Sequence, residues 1–202
     1  MSKYFIDCGA HCGESILRAR QQFGYDITIL SFEAVPSLAE ELSKLYIEDP
    51  LVTICNAAVY VEDGLIDFNV CPAFTDGSSV LSTLNNNHLA RKISVPCFDL
   101  SSWLRTSFES DDYIILKLDI EGAEYDVLEK MIADNTIRLV NELWGEWHYG
   151  HIVENLSARE KQVFDARVNN LDIKLKELNM ELRLWEAYYT SSSQLTKRPA
   201  SL

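Results

Sequence analysis

The clearest indication of the fold is the sequence Phe5-Ile6-Asp7-Cys8-Gly9-Ala10-His11-Cys12-Gly13. A short apolar run ends in an acidic residue and a turn with two glycines, which predicts a buried strand over residues 4–8 followed by a tight turn. Apolar residues then recur at helical spacing from Ile16 to Phe23, and Gly24 suits the C-cap of that helix. The stretch therefore predicts a strand, a turn and a helix in immediate succession.

Strands and helices alternate along most of the chain. The predicted elements are a strand over residues 27–32, a helix that begins at Pro36-Ser37-x-x-Glu40 with a capping box, strands over 51–58 and 113–118, a helix over 122–132, and strands over 137–143 and 181–189. This alternation predicts an α/β, Rossmann-like fold with a mostly parallel central sheet and helices on both faces. We expect one domain over residues 1–202, with a frayed tail from about residue 191.

The segment over residues 62–98 interrupts the alternation. Residues 57–61 and 65–70 flank Glu62-Asp63-Gly64, and Asp-Gly between alternating apolar residues is a typical hairpin signal. A further strand is predicted over residues 93–98. The pattern therefore predicts a β-hairpin insertion near residues 62–98 that decorates the central sheet.

A long helix is predicted after Ser157-x-x-Glu160, which has the pattern of another capping box. Its apolar residues recur at steps of four and three, and they are Phe164, Val168, Leu171, Leu175 and Leu178. Packing of this stripe against the sheet is favoured over a dimer seam, because the stripe is too short for a sustained coiled coil. A homodimer stays open as an alternative.

The composition limits the partners and the location of the protein. The formal net charge is −13, from 18 basic and 31 acidic residues, and no cluster of Lys and Arg offers a site for a phosphate backbone, so nucleic acid is not expected as a partner. The first residues lack the basic and apolar regions of a signal peptide, and no run approaches the roughly 20 apolar residues that span a bilayer. We expect a cytoplasmic protein without a membrane span.

The five cysteines suggest no disulfide framework, which favours reduced thiols. Cys8, His11 and Cys12 lie close together in the sequence. No further Cys or His pair has the spacing that would complete a tetrahedral zinc shell around them. No metal site is predicted.

Acidic residues end or follow three of the predicted strands, at Asp7, Glu33 and Asp119. Ligands of an open parallel sheet bind beyond the carboxyl ends of its strands, and Glu33, 20 residues after Gly13, suits hydrogen bonds from both hydroxyls of a ribose. A pyrophosphate prefers a denser glycine motif without a carboxylate nearby. Asp7 before Gly9-x-x-x-Gly13 therefore favours S-adenosylmethionine, which carries an ammonium and a sulfonium, over a nicotinamide dinucleotide.

The most distinctive segment is Lys117-Leu118-Asp119-Ile120-Glu121-Gly122-Ala123-Glu124-Tyr125-Asp126-Val127-Leu128. Its carboxylates straddle a strand end and a helix start, where the helix dipole favours negative charge. Stabilisation of an exposed helix end suffices to explain Glu124 or Asp126. It does not explain Asp119, which follows an apolar strand directly and should face the ligand crevice.

Several motifs together resemble the FkbM-type methyltransferases, a family of class I S-adenosylmethionine-dependent enzymes, over about residues 4–143. They are Phe5 to Gly13, Phe32-Glu33-Ala34-x-Pro36, Asn56-Ala57-Ala58-Val59, Ser78-Ser79 and, above all, Lys117 to Glu124. The resemblance implies a methyltransferase domain that binds S-adenosylmethionine and transfers a methyl group to a hydroxyl oxygen of a small-molecule acceptor: a sugar, a glycan or a natural product.

The resemblance also implies roles for individual residues. From the methionine part through the ribose to the adenine, the cofactor residues would be Asp7, Cys8, Gly9, Ala10, His11, Gly13, Glu33, Ala34, Asn56 and Ala57. Asp119 would contact the cofactor as well, and together with Glu121 and Glu142 it would lie where methyl donor and acceptor meet. His11 departs from the family pattern, which more often has Asn there, and residues 144–148 match no acceptor pocket that is known for the family.

Methyl transfer to an alcohol requires a base. His148 is the first candidate, because an imidazole titrates near neutral pH and this one follows the predicted strand that contains Glu142. Asp119 is the second candidate, and His151 and His88 rank lower. A half-exposed loop histidine without a catalytic role is the alternative interpretation of His148.

Other interpretations stay open at this point. Trp144, Trp147 and Tyr149 offer either a wall beside the acceptor or plain packing. The carboxylates near the cofactor are hard oxygen ligands, yet carboxylates beside a cationic cofactor need no metal. The alternative functions are an NAD(P)-dependent oxidoreductase, which the missing third glycine disfavours, and a non-catalytic protein that keeps the cofactor pocket as a binding scaffold.

Overall fold

The computed structural model describes residues 2–70 and 91–185. Its strands are β1 (Lys3–Cys8), β2 (Thr28–Phe32), β3 (Val52–Cys55), β4 (Ala58–Tyr60), β5 (Gly64–Val70), β6 (Arg91–Asp99), β7 (Tyr113–Leu118), β8 (Val140–Gly145) and β9 (Leu182–Leu184). Its helices are α1 (Glu14–Phe23), α2 (Pro36–Leu45), α3 (Leu100–Ser107), α4 (Glu124–Ala133), α5 (Tyr149–Val153) and α6 (Ala158–Glu177), with a 3-10 helix at Thr136–Leu139. Outside the described residues lie Ser78-Ser79, His88, the predicted strand beyond residue 185 and the tail from residue 191.

A parallel sheet forms the centre of the fold. Its strand order is β3-β2-β1-β7-β8-β9, and each of the described pairings in it is parallel. The order reverses between β1 and β7, and ligands of such sheets bind beyond the carboxyl ends of the strands at this switch point. The predicted α/β class with a mostly parallel, Rossmann-like sheet is confirmed.

The register of this sheet aligns the last residues of its strands. Cys8 of β1 pairs with Phe32 of β2 and with Leu118 of β7, Phe32 pairs with Cys55 of β3, and Leu118 pairs with Gly145 of β8. The residues that follow these five leave the sheet along one edge. We call this edge the carboxyl edge.

Helices cover both faces of the central sheet. Successive residues of a strand point to opposite faces, so Ile6 of β1 lies in a large core that also holds Leu104 of α3 and Leu128 of α4, whereas Phe5 lies in a second core with Ile16 of α1. Burial on both faces explains why the central strands are almost continuously apolar. The predicted placement of helices on both faces of the sheet is therefore confirmed.

A second, smaller sheet contains part of the predicted insertion. Its order is β4-β6-β5, with β4 parallel and β5 antiparallel to β6. The predicted pairing of residues 57–61 with 65–70 across Glu62-Asp63-Gly64 is wrong, because β6 lies between the two strands and pairs with both. The antiparallel pair of β5 and β6 does form within residues 62–98, so a β insertion beside the central sheet is confirmed.

Two predictions about local structure are corrected. Helix α2 begins at Pro36, with Val35 as N-cap and no capping side chain, because proline is favoured at the first helical position and moves the helix start ahead of Ser37. The predicted capping box at Ser37 therefore does not form. Residues 137–139 belong to a 3-10 helix, and the strand predicted from residue 137 begins only at Val140.

Helix α6 contacts α4, and its apolar stripe joins the large core that also contains residues of β1, β7 and β8. Its capping box is formed by Ser157 and Glu160. The buried stripe residues are Val168, Leu171 and Leu175, with Phe164 and Leu178 packed against their edge. Packing in the core therefore accounts for the stripe. None of the described helices, α6 included, has both the length and the apolar character needed to cross a membrane.

Replacing Leu171 with Ala tests this packing. Leu171 is 4% exposed, whereas Ile173 on the same helix is 54% exposed. A cavity at a buried leucine costs about 2–5 kcal/mol of unfolding free energy, and an exposed substitution changes it by about 0.5 kcal/mol or less. Urea unfolding should show strong destabilisation of Leu171→Ala and near-wild-type stability of the control Ile173→Ala. Equal effects of the two substitutions would contradict the packing.

Candidate active site

Backbone hydrogen bonds extend the strand ladders beyond the carboxyl edge. After four of the strands, the N–H of the next residue donates to the last carbonyl of a neighbouring strand. The pairs are Gly9 with Phe32 (3.0 Å), Glu33 with Cys55 (3.0 Å), Asp119 with Cys8 (3.1 Å) and Glu146 with Leu118 (3.0 Å). Gly9, Glu33, Asp119 and Glu146 are therefore held in one row. Asn56, which follows Cys55, lies on the same edge.

Gly9 and Gly13 are required by the packing of the turn over residues 9–13. Both adopt positive φ angles, of 90° and 83°, a region that favours glycine. A Cβ atom on Gly9 would lie 1.9 Å from the carbonyl oxygen of Asp119, and one on Gly13 would lie 2.6 Å from Leu42 Cδ2. The two glycines thus let the turn contact the β7–α4 connection and helix α2.

A buried ammonium joins the two middle strands beneath this turn. Lys117 Nζ lies 3.1 Å from Asp7 Oδ1 and 3.2 Å from Asp119 Oδ2, and it donates a hydrogen bond to the Gly9 carbonyl at 2.8 Å. Burial alone would lower the pKa of Lys117, but the two carboxylates raise it above its ordinary value. Lys117 is therefore a charged group inside the protein that ties β1, β7 and the turn together.

Asp7 has no exposed surface. Its Oδ2 accepts hydrogen bonds from Ser15 Oγ at 2.5 Å and from Ser31 Oγ at 3.0 Å, and its other oxygen faces Lys117. Asp7 therefore anchors the turn from within the protein. Its contact with a cofactor stays a prediction.

The Glu33 carboxylate connects the turn to the start of α2. Its Oε2 accepts from the His11 N–H at 2.8 Å, and its Oε1 accepts from the Val35 N–H at 2.7 Å. Burial raises the pKa of Glu33, although both of these hydrogen bonds act in the opposite direction. Asn56 Nδ2 donates to the carbonyls of Glu33 at 2.8 Å and Ala34 at 3.2 Å, which holds these predicted cofactor residues beside one another.

The remaining predicted cofactor residues lie along the same edge. The Ala10 N–H donates to the Phe32 carbonyl at 3.0 Å, and the Ala57 N–H donates to the Cys55 carbonyl at 3.1 Å. Cys8 ends β1 and is fully buried. Burial and the nearby charge of Asp7 raise the pKa of the Cys8 thiol, so Cys8 contributes to the core beneath the turn.

The acidic segment after β7 forms a tight loop around Glu124, which is fully buried. Glu124 Oε1 accepts from the Ile120 N–H and Oε2 from the Gly122 N–H, both at 2.8 Å. Between them Glu121 has a φ of 55°, which is uncommon for a residue other than glycine. Glu124 therefore fixes the loop that presents Asp119 and Glu121, and stabilisation of an exposed helix end does not explain it.

His148 follows β8 and reaches this loop with a side chain that is only 5% exposed. Its Nδ1 lies 3.0 Å from Glu124 Oε1, and its Nε2 lies 3.4 Å from Glu121 Oε2 and 3.8 Å from Asp119 Oδ1. Because a carboxylate only accepts, Nδ1 is the donor in the bond to Glu124. Burial alone would lower the pKa of His148, but Glu124, Glu121 and Asp119 raise it to about 9.

This pKa changes the interpretation of His148. A histidine with a pKa of about 9 carries a proton at neutral pH, so the prediction that His148 titrates near neutral pH is wrong. The alternative of a half-exposed loop histidine is also wrong, because the side chain is buried. The role of His148 as a base stays a prediction without its original support.

Glu142 does not join the other predicted site residues. It pairs in register with Ile115 of β7, three residues before the carboxyl edge at Leu118. It accepts hydrogen bonds from Tyr113 Oη at 2.9 Å and from Arg183, and it lines a separate cavity of about 320 Å³. Its predicted place beside the methyl donor is therefore wrong, because β8 ends two residues later than predicted.

The aromatic residues after Glu142 pack within the protein. Trp144 contacts Phe23 and Trp185, at ring-centroid distances of 6.0 Å and 5.7 Å. Tyr149 stacks on Phe164 at 5.9 Å, and Trp147 joins the large core. Plain packing, the second of the two predicted alternatives, explains these contacts.

Lys117, Glu124 and Glu146 were not predicted as residues of the site. A single lysine in an otherwise apolar strand is a signal for a buried ion pair, since a buried charge requires a partner. Glu146 was missed because the strand end was placed at residue 143. Nothing in the sequence distinguishes Glu124 from an acidic residue on an exposed helix end.

Replacing Gly9 with Ala tests the contact between the turn and Asp119. We expect Gly9→Ala to lose at least about 2 kcal/mol of unfolding free energy, because the new Cβ meets a backbone carbonyl at a positive φ. Gly150→Ala is the control, because a Cβ there meets nothing within 4 Å. Thermal and urea unfolding measure both variants, and a Gly9→Ala protein as stable as Gly150→Ala would disprove the close contact.

Comparison with known proteins gives a family. The model described as the methyltransferase FkbM domain matches residues 7–171, while no curated protein matches the chain. The crystal structure of methyltransferase FkbM from Methylobacillus flagellatus KT shares 15% identity and a TM-score of 0.42, and the alignment covers 67% of this chain and 30% of that chain. This chain thus covers less than a third of the length of that protein. An identity and a TM-score this low support no inference about this chain. Because the family model matches most of the 202 residues of this chain, the chain belongs to the FkbM methyltransferase family.

Proposed function

We propose that this protein binds S-adenosylmethionine along the carboxyl edge and methylates a hydroxyl oxygen of a sugar, a glycan or a natural product. The observation that carries the proposal is the row formed by Glu33, the glycine turn and Asp119. The row lies beyond the reversal of strand order, where ligands of such sheets bind. The preference for a hydroxyl acceptor rests on the resemblance to the family.

The Glu33 carboxylate is suited to a ribose. Hydrogen bonds from the His11 and Val35 N–H groups fix both of its oxygens. Each carboxylate oxygen can accept a further hydrogen bond, so both ribose hydroxyls can donate to a carboxylate whose position is already set. Asn56 and Ala57, on the next strand connection, would then border the adenine.

The charges at the edge are suited to a cationic cofactor. Lys117 pairs with both Asp7 and Asp119, but the Asp7 side chain is fully buried, whereas the Asp119 side chain keeps 25% of its surface exposed. Asp119 is therefore the carboxylate that would face the ammonium or the sulfonium. Helix α1 has no side-chain cap, so its first N–H groups suit the carboxylate of the methionine part.

When bound, S-adenosylmethionine supplies an electrophilic methyl group on a sulfonium. The acceptor would approach from the side of Glu121 and His148, next to Asp119. Glu124 holds this side of the site by fixing the loop and the His148 ring. Alignment of donor and acceptor, which fixed groups provide, is a large part of the rate enhancement in transfer reactions of this kind.

Calorimetric titration with S-adenosylmethionine tests the cofactor. We expect saturable binding, and we expect Glu33→Gln to weaken it at least about tenfold, because a hydrogen bond to a charged group contributes about 1.5–3 kcal/mol. Glu40→Gln is the matched control, since Glu40 is exposed on α2, where it pairs with Lys44.

Two results would contradict the proposal. One is no heat of binding at millimolar S-adenosylmethionine, and the other is tighter binding of NAD, which the oxidoreductase alternative requires. Unfolding curves of Glu33→Gln separate loss of binding from loss of folding.

A transfer assay with a panel of sugars, phenols and amines tests the reaction. We expect radioactive methyl groups from S-adenosylmethionine to appear on hydroxylated acceptors. Transfer to amines alone would refute the hydroxyl preference. Cofactor binding without transfer to any member of the panel is the outcome that the binding-scaffold alternative requires.

A further inference from the structure

We propose that Asp119, Glu146 and His148 form a binding site for a divalent transition-metal ion. One ligand atom from each of these residues lies within 4.8 Å of the other two. Atoms that bind one ion at about 2.1 Å lie about 3 Å apart when adjacent and about 4 Å apart when opposite. Only small side-chain adjustments are therefore needed for the three residues to share an ion.

His148 has the surroundings of a metal-binding histidine. Such histidines donate the N–H of the ring nitrogen that does not bind the metal to a carboxylate or carbonyl, which fixes the tautomer and the ring orientation. His148 Nδ1 donates to Glu124 Oε1 at 3.0 Å, and backbone N–H groups hold Glu124 in turn. His148 Nε2 lies 3.8 Å from Asp119 Oδ1 and 3.4 Å from Glu121 Oε2. An ion bound by Nε2 would replace the proton on that nitrogen, which would be released to the solvent.

The backbone sets the positions of the two carboxylates. The Asp119 N–H donates to the Cys8 carbonyl at 3.1 Å, and the Glu146 N–H donates to the Leu118 carbonyl at 3.0 Å. The ends of β7 and β8 can lie this close because residue 145 is a glycine. A Cβ atom there would lie only 2.7 Å from the Leu118 carbonyl oxygen. Asp119 and Glu146 therefore start from fixed points at the ends of two adjacent strands, β7 and β8.

The charge balance favours a cation on this side of the edge. Lys117 approaches Asp119 Oδ2, while Asp119 Oδ1 is the oxygen that faces His148. Glu121 and Glu146 add further negative charge around the imidazole. One imidazole nitrogen with two carboxylates suits ions such as Mn²⁺, Fe²⁺ or Zn²⁺ better than Ca²⁺, which prefers oxygen ligands alone.

The metal site gives the proposed acceptor side a specific chemistry. An ion at this position would bind and orient a hydroxyl oxygen of the acceptor beside Asp119, and a sugar or a phenol has such an oxygen. This consequence rests on the proposed function. The metal site itself does not rest on the proposed function, because the positions of its three side chains suggest it without any cofactor.

Titration of Mn²⁺ into the full chain without S-adenosylmethionine, followed by the electron paramagnetic resonance signal of free Mn²⁺, tests the site. We expect one saturable site. Glu146→Gln, at an exposed position that leaves the core intact, should weaken Mn²⁺ binding at least about tenfold. Glu154→Gln is the control, because Glu154 is also exposed and lies at the end of α5, outside the cluster.

The absence of saturable Mn²⁺ binding, or equal Mn²⁺ affinities of Glu146→Gln and Glu154→Gln, would overturn the metal site. Asp119→Asn provides a second variant with the same expected loss. Neither negative result would refute the proposed function, which is tested separately by titration with S-adenosylmethionine. Conversely, Mn²⁺ binding by a protein that fails to bind S-adenosylmethionine would support the metal site and refute the proposed function.

Discussion

The carboxyl edge depends on the ion pair that Lys117 and Asp7 form inside the protein. The two residues lie opposite each other on β7 and β1, and removal of one partner from such a buried pair typically costs about 3–5 kcal/mol. Lys117 also contacts Asp119 and donates to the Gly9 carbonyl. One ammonium therefore holds the glycine turn and the acidic loop against each other, and the geometry of the whole site follows from this contact.

The carboxylates of the edge divide into two groups. Asp7, Glu33 and Glu124 are buried and accept hydrogen bonds from backbone or hydroxyl groups of the segments that they fix. Asp119 and Glu146 keep exposed surface with which they can meet a ligand. Glu33 can also meet one, because each of its oxygens can accept a further hydrogen bond. Several hydrogen bonds to each buried carboxylate make its surroundings rigid, so loops with little freedom to move present the exposed groups.

The fold could be predicted because strand and helix periodicities are local properties of the sequence. The pairing of β6 between β4 and β5 could not, since a local Asp-Gly signal says nothing about a strand that arrives later in the chain. The same limit applies to the site. Asp119 was predicted correctly as a residue of the edge from its place after an apolar strand. Because the end of β8 was predicted two residues too early, Glu142 was predicted at the edge in place of Glu146. The roles of Lys117 and Glu124 depend on partners that only the folded chain brings together.

A crystal structure of the chain with S-adenosylhomocysteine would locate the ribose and the sulfur separately, which makes it the decisive measurement for the proposed site. We expect the ribose hydroxyls to lie within hydrogen-bond distance of the Glu33 carboxylate and the sulfur to lie beside Asp119. Nucleoside density elsewhere, for example in the cavity that Glu142 and Arg183 line, with Glu33 untouched, would contradict it.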